Sequence, residues 1–227
     1  MIKAIKKTLL KYLPVNYFEY SKSYSQDGED MILKAIYEQK KGYKGFFVDV
    51  GAHHPVRYSN TNYFYKRGWK GINIEPTPSA IGAFKTFRKR DINLNIGIGP
   101  NKTKLKFYCF NEPALNSFSE EVSKRIDRES EKYKIIKELD INVLPLGDVL
   151  DEYLPANTTI DFLSIDVEGL DYQVLLSNNW NKYKPNVILV EENVDVDNLK
   201  DSPIYNFLKD LGYSFFAKTL RTCVYRL

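Results

Sequence analysis

The sequence predicts an α/β protein built on a Rossmann-like sheet that is mostly parallel and ends in an antiparallel C-terminal β-hairpin. Short apolar runs of strand length alternate with amphipathic stretches of helix length, which is typical of a parallel sheet covered by helices. At the C-terminus, two strand-like runs are separated only by residues 218–221. Because so short a connection cannot hold a crossover helix, these two strands must run antiparallel.

The predicted elements follow in chain order. Five near-continuous apolar runs predict buried parallel strands at residues 46–50, 71–75, 92–98, 160–166 and 187–191. Helices are expected at about 59–67, 78–89, 169–178 and 200–211, and hairpin strands at 213–217 and 222–226. An insertion at about 102–155 is expected to contain a strand at 105–110, a charged helix at 120–139 and a strand–helix pair at 141–154. Because long insertions in compact folds usually serve function, this one is expected to set substrate specificity.

The basic residues are placed unevenly along the chain. The formal net charge is +4, and the first 25 residues carry all of it, since they hold five lysines against Glu19 alone. Residues 1–23 are predicted to form a basic amphipathic leader helix, and residues 24–227 a single domain. A leader packed on the domain is the simpler interpretation, and contact with a membrane surface or a partner is the alternative. The balanced charge of the domain argues against nucleic-acid binding.

The cysteines and the hydropathy of the chain narrow its class further. Cys109 and Cys223 are the only cysteines and lie far apart, which excludes a disulfide scaffold and a zinc site of paired cysteines. No apolar run approaches the length of about 18 residues that a membrane-spanning helix needs. These observations predict a cytoplasmic protein with reduced thiols. They are compatible with either a monomer or a homo-oligomer.

Acidic residues close most of the predicted parallel strands. They are Asp49, Glu75, Asp166, Glu168, Glu191 and Glu192. Ligands of open α/β sheets bind beyond the carboxyl ends of the strands, so these side chains are expected to line a binding site. An acidic edge repels phosphates but suits S-adenosylmethionine, which carries ribose hydroxyls, an ammonium and a sulfonium. The turn after the first strand has only Gly51, whereas a dinucleotide site needs several glycines. Together with the hairpin, this favours a class I methyltransferase sheet over a dehydrogenase.

Six motifs occur in an order typical of one family. They are Ser25-Gln26-Asp27-Gly28-Glu29-Asp30, Phe47-Val48-Asp49-Val50-Gly51-Ala52, Ser59-Asn60-Thr61, Gly68-Trp69-Lys70-Gly71, Ile74-Glu75-Pro76 and Phe162-Leu163-Ser164-Ile165-Asp166-Val167-Glu168-Gly169. With these motifs and the closing Glu191, residues 24–226 resemble the FkbM family of S-adenosylmethionine-dependent methyltransferases. The resemblance implies an O-methyltransferase that acts on a sugar hydroxyl of a nucleotide sugar, glycolipid or polysaccharide. The insertion at 102–155 matches the family only loosely.

The resemblance also implies which residues bind the cofactor. These are Gln26, Glu29, Asp49, Gly51, His53, Ser59, Asn60, Thr61, Glu75 and Asp166. Glu75 would bind the ribose, and Asp49, Gly51 and His53 would line the methionine part. The two residues ahead of the first strand would fold over the pocket. Ser59 is also an ordinary N-cap candidate for the first helix.

The sequence offers several candidates for the group that accepts the proton of the sugar hydroxyl. A sugar hydroxyl is a poor nucleophile, so a base or a metal ion must help to remove its proton. His53 or His54 could be the base, since imidazole titrates near neutrality. Alternatively, Asp166 or Glu168 accepts the proton directly, because both are expected where the methyl group meets the acceptor.

A metal ion is the further alternative. Asp166, Glu192 and Asn193 would offer oxygen ligands that suit Mg²⁺ or Mn²⁺. Two rival functions also remain at this level. An NAD-dependent sugar dehydrogenase or epimerase is disfavoured by the single glycine, and a non-catalytic module that binds a nucleoside cofactor or a glycan is disfavoured by the intact set of acidic strand ends.

Overall fold

The computed structural model describes residues 20–39 and 42–227. Most of the predicted leader helix, residues 1–19, lies outside the described residues, and residues 20–23 are not helical. Within the described ranges, no helix combines the length and the apolar character that crossing a membrane requires.

A seven-stranded sheet forms the centre of the fold. Its strands are β1 (Phe46–Val50), β2 (Lys70–Ile74), β3 (Ile92–Leu94), β7 (Phe162–Ile165), β8 (Val187–Glu191), β9 (Ser214–Lys218) and β10 (Thr222–Arg226). Their order across the sheet is β3-β2-β1-β7-β8-β10-β9. The first five run parallel, and β10 is antiparallel to both of its neighbours. The predicted mostly parallel sheet with an antiparallel C-terminal hairpin is confirmed.

Helices connect and cover these strands. In the described part of the chain they are α1 (Glu29–Tyr37), α2 (Asn62–Tyr65), α3 (Pro78–Phe87), α4 (Glu120–Glu129), α5 (Leu146–Tyr153), α6 (Asp171–Leu176) and α7 (Pro203–Asp210). The described residues also form 3₁₀ helices at Pro113–Leu115 and Val196–Asp201. The helix predicted at 59–67 is shortened to α2, whose first hydrogen bonds run to the Thr61 carbonyl; ahead of it, the Ser59 hydroxyl accepts the Asn62 amide at 3.2 Å. Gly68, with a φ of 92°, follows its end.

Both faces of the central sheet are buried, as near-continuous apolar strands require. One face packs on α5, α6 and α7 through a cluster that includes Leu150, Val174 and Leu208. The other packs on α1 and α2 through a cluster that includes Leu33 and Phe64. Each such side chain contributes about 1.5–3 kcal/mol when fully buried. The end of the predicted insertion, α5, therefore belongs to the main core.

A small second sheet lies beside the first. It consists of β4 (Gly97–Ile98), β5 (Thr103–Phe110) and β6 (Ile135–Leu144), in the order β4-β6-β5. The single strand predicted at 92–98 is thus divided, since residues 92–94 pair with β2 and residues 97–98 pair with β6. The second sheet provides a wall beside the carboxyl edge of the central one.

The charged helix predicted at 120–139 is wrong in its second half. It ends at Glu129, and residues 135–139 belong to β6. The Ser130 hydroxyl accepts the backbone amides of Lys132 and Tyr133 at 3.2 and 3.0 Å, and these bonds turn the chain. A hydroxyl that binds nearby backbone in this way competes with continued helix.

Candidate active site

A crevice opens at the carboxyl edge of the central sheet, where the strand order reverses between β1 and β7. This is the position at which open α/β sheets bind ligands. The crevice encloses about 1150 Å³, including its open mouth. Eight of the ten residues predicted to bind the cofactor line it, namely Gln26, Glu29, Asp49, Gly51, His53, Asn60, Glu75 and Asp166.

The turn after β1 requires glycine at position 51. Gly51 has a φ of 78°, in the left-handed region that favours glycine. A Cβ at this position would collide with the carbonyl oxygen of Asp166 and lie 2.8 Å from its carbonyl carbon. The amides of Gly51 and Ala52 both donate to the carbonyl of Ile74, at 3.0 and 3.1 Å. Three strand ends therefore meet at this turn.

Glu75 holds the loop that follows Gly51. Its Oε2 accepts the His53 amide at 2.7 Å, and its Oε1 accepts the Thr77 amide at 2.8 Å. The side chain is only 5% exposed, and burial raises the pKa of its carboxyl group. The Thr77 side chain also hydrogen-bonds to Glu75. Because a carboxylate has about four acceptor sites, Glu75 can still accept from a ligand in the crevice.

Asp49 lies deeper, at the end of β1. Its Oδ2 accepts the Thr61 hydroxyl at 3.0 Å, and Ser164 also hydrogen-bonds to it. Asn60 in turn donates to Ser164 at 3.1 Å. Burial raises the pKa of Asp49 to about 6, although Arg88 and the two hydroxyls act to lower it.

The predicted triplet 59–61 divides between two roles. Asn60 faces the crevice. Ser59 and Thr61 are fully buried behind it and do not line it. The Ser59 hydroxyl accepts the Asn62 amide and the Thr61 hydroxyl supports Asp49, so the structure places neither of them in contact with a ligand in the crevice.

The segment ahead of β1 covers one end of the crevice. Gln26 and Glu29 line it. Glu29 accepts the Asp27 amide at 3.0 Å and the Thr219 hydroxyl at 2.7 Å. Because Thr219 lies in the turn between β9 and β10, this buried carboxylate ties the segment to the hairpin.

Three carboxyl groups gather at this same end, just after β7 and at the end of β8. Oxygen atoms of Asp166, Glu168 and Glu191 all lie within 4.8 Å of one another. Desolvation and the charges of Glu191 and Asp171 raise the pKa of Asp166. Desolvation and the charge of Asp166 raise the pKa of Glu168 to about 8. Desolvation and the charge of Glu168 raise the pKa of Glu191 to about 7. This end of the crevice is therefore suited to accept a proton near neutral pH.

The structure does not bring together the predicted metal ligands. Glu192 is buried, accepts the Tyr225 hydroxyl at 2.9 Å and also accepts the Ser202 hydroxyl. Neither Glu192 nor Asn193 lines the crevice that holds Asp166. Successive residues of a strand end point to opposite sides, which directs Glu191 to the crevice and Glu192 away from it.

The two histidines also differ in position. His54 does not line the crevice, and its Nδ1 accepts the amides of Val56 and Arg57 at 3.1 and 2.9 Å. Its predicted role as a base is therefore not supported by its position. His53 lines the crevice, and its buried Nε2 has no hydrogen-bond partner among the described residues. Burial, followed by the charge of Arg57, lowers the pKa of His53, which keeps the ring neutral and able to bind a ligand.

The second sheet and the segment 111–118 form the remaining wall. Its apolar part includes Ile98, Phe107 and Phe118, and Ile96 adds to it just before β4. Two consecutive residues near the end of the segment reach in different directions. Asn116 donates to the Thr77 hydroxyl at 3.1 Å, and Ser117 donates to the Glu168 carbonyl at 3.3 Å. The insertion is thus fastened to both ends of the crevice.

A shallower groove adjoins the crevice. It encloses about 870 Å³, including open solvent, and Glu191 lines both spaces. Its lining also includes Tyr172, Asn193, Asn198 and Asp201. Amide and carboxyl groups beside an aromatic ring offer hydrogen bonds and a flat apolar face.

The site contains residues that sequence reasoning did not assign. Asp171 accepts the amides of Val167 and Gly169 at 3.2 and 3.1 Å, and so shapes the turn that carries Glu168. Asp171 begins the helix that follows the strand-end acid Asp166, and this position in the sequence could have indicated a role at the site. Arg221, the guanidinium among the described lining residues, gave no signal because the hairpin turn matches no motif.

The chain is similar to one protein family and to a solved structure, but to no curated protein. A model of the methyltransferase FkbM domain matches residues 49–215. A solved structure described as the O-methyltransferase from Bacillus cereus in complex with SAH superposes with a TM-score of 0.38 and 11% sequence identity, covering 98% of this chain and 87% of that chain. No curated protein matches the sequence.

Proposed function

Because the chain belongs to the FkbM methyltransferase family, whose domain covers residues 49–215, we propose that it transfers the methyl group of S-adenosylmethionine to a sugar hydroxyl. The observation that carries the proposal is the crevice itself. One end holds the buried, partly satisfied Glu75, and the other holds the proton-accepting group of Asp166, Glu168 and Glu191. The first end suits a nucleoside, and the second suits an oxygen acceptor.

The cofactor is proposed to lie along the crevice. Glu75 would accept hydrogen bonds from the ribose hydroxyls, while the apolar wall that includes Phe107 and Phe118 would pack against the adenine. The methionine part would extend over Gly51 toward Asp49 and His53. In this placement, the unpartnered His53 Nε2 gains a polar partner.

Methyl transfer requires the acceptor oxygen to lie about 3 Å from the methyl carbon, in line with the bond to sulfur. The oxygen–carbon bond forms as the carbon–sulfur bond breaks, and the electrons of that bond stay on sulfur. The hydroxyl proton passes to a carboxylate, for which Asp166 is the strongest candidate because it lines the crevice directly beside the Gly51 turn. Desolvation and the charge of Glu191 raise the pKa of Asp166, which makes it a more effective base.

The charge of the crevice favours an acceptor without phosphate near the reacting hydroxyl. Seven carboxyl side chains and one guanidinium, that of Arg221, line it among the described residues. Even with the positively charged sulfonium in place, a diphosphate close to this site would be repelled. A neutral sugar of a glycolipid or polysaccharide fits better than a nucleotide sugar. Further sugar units would occupy the adjoining groove, where Tyr172 and Asn193 can bind hydroxyls.

Two measurements test the proposal. Calorimetric titration with S-adenosylmethionine, S-adenosylhomocysteine and NAD should show binding of the first two and none of NAD. The protein is then supplied with methyl-labelled S-adenosylmethionine and a panel of neutral oligosaccharides, glycolipids and sugar nucleotides. Label in a base-stable ether of a neutral sugar is the expected result. Binding of NAD alone would refute the cofactor, and label only in sugar nucleotides would refute the acceptor.

A further inference from the structure

A buried guanidinium lies behind the crevice and is linked to Asp49. Arg88 directly follows α3 and is only 1% exposed. Its Nε donates to Asp91 at 2.8 Å, its Nη1 to the Pro55 carbonyl at 3.0 Å, and its Nη2 to the Thr61 hydroxyl at 2.8 Å. Burial of a charge is costly unless the charge is paired and hydrogen-bonded, and Arg88 meets both conditions.

The hydrogen bonds around Thr61 can run in only one direction. Arginine has donors and no acceptor, so the Thr61 oxygen accepts from Arg88. Its single proton is then free to be donated to Asp49, whose Oδ2 lies 3.0 Å away. Ser59, at 3.3 Å, must donate to Thr61 rather than accept from it. The result is a directed chain from the guanidinium through the hydroxyl to one carboxylate oxygen.

We propose that Arg88 is a positioning residue that acts through Thr61 to keep the Asp49 carboxylate charged and oriented toward the ammonium group of the cofactor. This inference rests on the proposed function, because it places Asp49 beside the methionine part. It gives Thr61 a role one layer behind the crevice instead of the direct contact that the sequence predicted. It also gives a purpose to Arg88, which belongs to none of the sequence motifs.

The other charged groups that face Asp49 are all acidic. Asp91 raises its pKa, and Asp166 and Glu75 in turn feel the negative charge of Asp49. Arg88 alone among these neighbours favours the ionised form. Without the chain through Thr61, burial and the three acids would leave Asp49 protonated over more of the neutral range.

A pair of variants at one position tests the inference. Thr61→Val keeps the shape of the side chain but removes the hydroxyl, and Thr61→Ser restores the hydroxyl. The affinity for S-adenosylhomocysteine is measured calorimetrically between pH 5.5 and 8.5. For Thr61→Val we expect about tenfold weaker binding at pH 7, and a rise of about one unit in the pH below which affinity falls. Thr61→Ser should bind within about threefold of the wild type.

A second probe separates positioning from general damage to the site. 5′-Methylthioadenosine has the nucleoside but lacks the ammonium group, so Thr61→Val should bind it as the wild type does. Equal losses for both probes, or a loss independent of pH, would overturn the inference. Arg88→Met should show the same upward pH shift, and Thr61→Val carries the test if Arg88→Met does not fold. A wild-type protein that binds neither probe would instead refute the proposed function.

Discussion

At the scale of single residues, Glu75 shows how one side chain can shape a loop and face a ligand at the same time. The sequence predicted an acid at the end of the second strand. It could not predict that both carboxylate oxygens accept backbone amides, because the His53 amide reaches Glu75 from a residue with a φ of 51°. Such a left-handed conformation is uncommon outside glycine and leaves little trace in the sequence.

Replacing Glu75 by glutamine should weaken cofactor binding. The amide nitrogen that takes the place of one oxygen cannot accept a hydrogen bond from the His53 or Thr77 amide, or from a ribose hydroxyl. We expect S-adenosylhomocysteine to bind about 1–3 kcal/mol more weakly in calorimetry. A ribose contact can be isolated with adenosine and 2′,3′-dideoxyadenosine. Loss of the hydroxyls should cost the wild type more than Glu75→Gln, and equal costs would contradict ribose binding.

Replacing Asp166 by asparagine should separate binding from turnover. The change preserves volume and removes the charge, so we expect turnover to fall by about 100-fold or more, as for loss of a general base. S-adenosylhomocysteine affinity should stay within about threefold, because that ligand lacks the sulfonium charge. Asp140→Asn, at an exposed site on β6 outside the crevice, is the matched control. Near-normal turnover by Asp166→Asn would show that another group is the general base.

At the scale of secondary-structure elements, the central sheet was predictable and the insertion only in part, since its strand at 105–110 and its last helix were predicted but the extent of β6 was not. Buried parallel strands leave near-continuous apolar runs, and a hairpin connection must be short, so both signals lie in the local sequence. In β6, Leu139, Ile141 and Val143 alternate with the exposed polar residues Asp140 and Asn142, while the charged residues 137–138 precede them. Helical and strand periodicity are difficult to distinguish in such a charged segment, and the Ser130 turn decides between them.

The leader should be dispensable for cofactor binding. The described chain is anchored from Ser23 onward, since Ser23 and the Tyr24 amide donate to Asp30 at 2.6 and 2.7 Å, and the Tyr24 carbonyl accepts the Ser59 amide. A protein that begins at Tyr20 should bind S-adenosylhomocysteine within about threefold of the full chain. One that begins at Gln26 loses these anchors and should bind markedly more weakly. A large loss on removal of residues 1–19 alone would make the leader part of the site.

At the scale of the whole molecule, the crowded carboxyl groups should make stability fall as the pH rises. The pKa of Glu191 is raised to about 7 and that of Glu168 to about 8, whereas in an unfolded chain both would be about 4. The folded state therefore holds more protons than the unfolded state across this range, and the free energy of unfolding decreases with pH. The lowered pKa of His53 and His54 acts in the opposite direction only below about pH 6.5.

Thermal unfolding at pH 6.5 and 8.5 measures this effect. We expect a lower Tm at pH 8.5, with each kcal/mol of lost stability equal to about 2–4 °C for a chain of this size. Glu168→Gln should reduce the difference, because it removes the group whose titration lies highest in the range. A Tm that rises between these two pH values would show that the carboxyl groups are not crowded in the folded protein.

The acidic lining of the crevice also bears on how turnover ends. S-Adenosylmethionine carries a net positive charge, and methyl transfer converts its sulfonium to a neutral thioether. The carboxyl groups that attract S-adenosylmethionine therefore bind S-adenosylhomocysteine less strongly, because its sulfur is uncharged. This difference favours product release over product inhibition. We expect S-adenosylmethionine to bind more tightly than S-adenosylhomocysteine at low ionic strength, and the ratio to fall toward one as salt screens the site. The loss of charge at the cofactor sulfur would then promote release of the product and binding of the next S-adenosylmethionine.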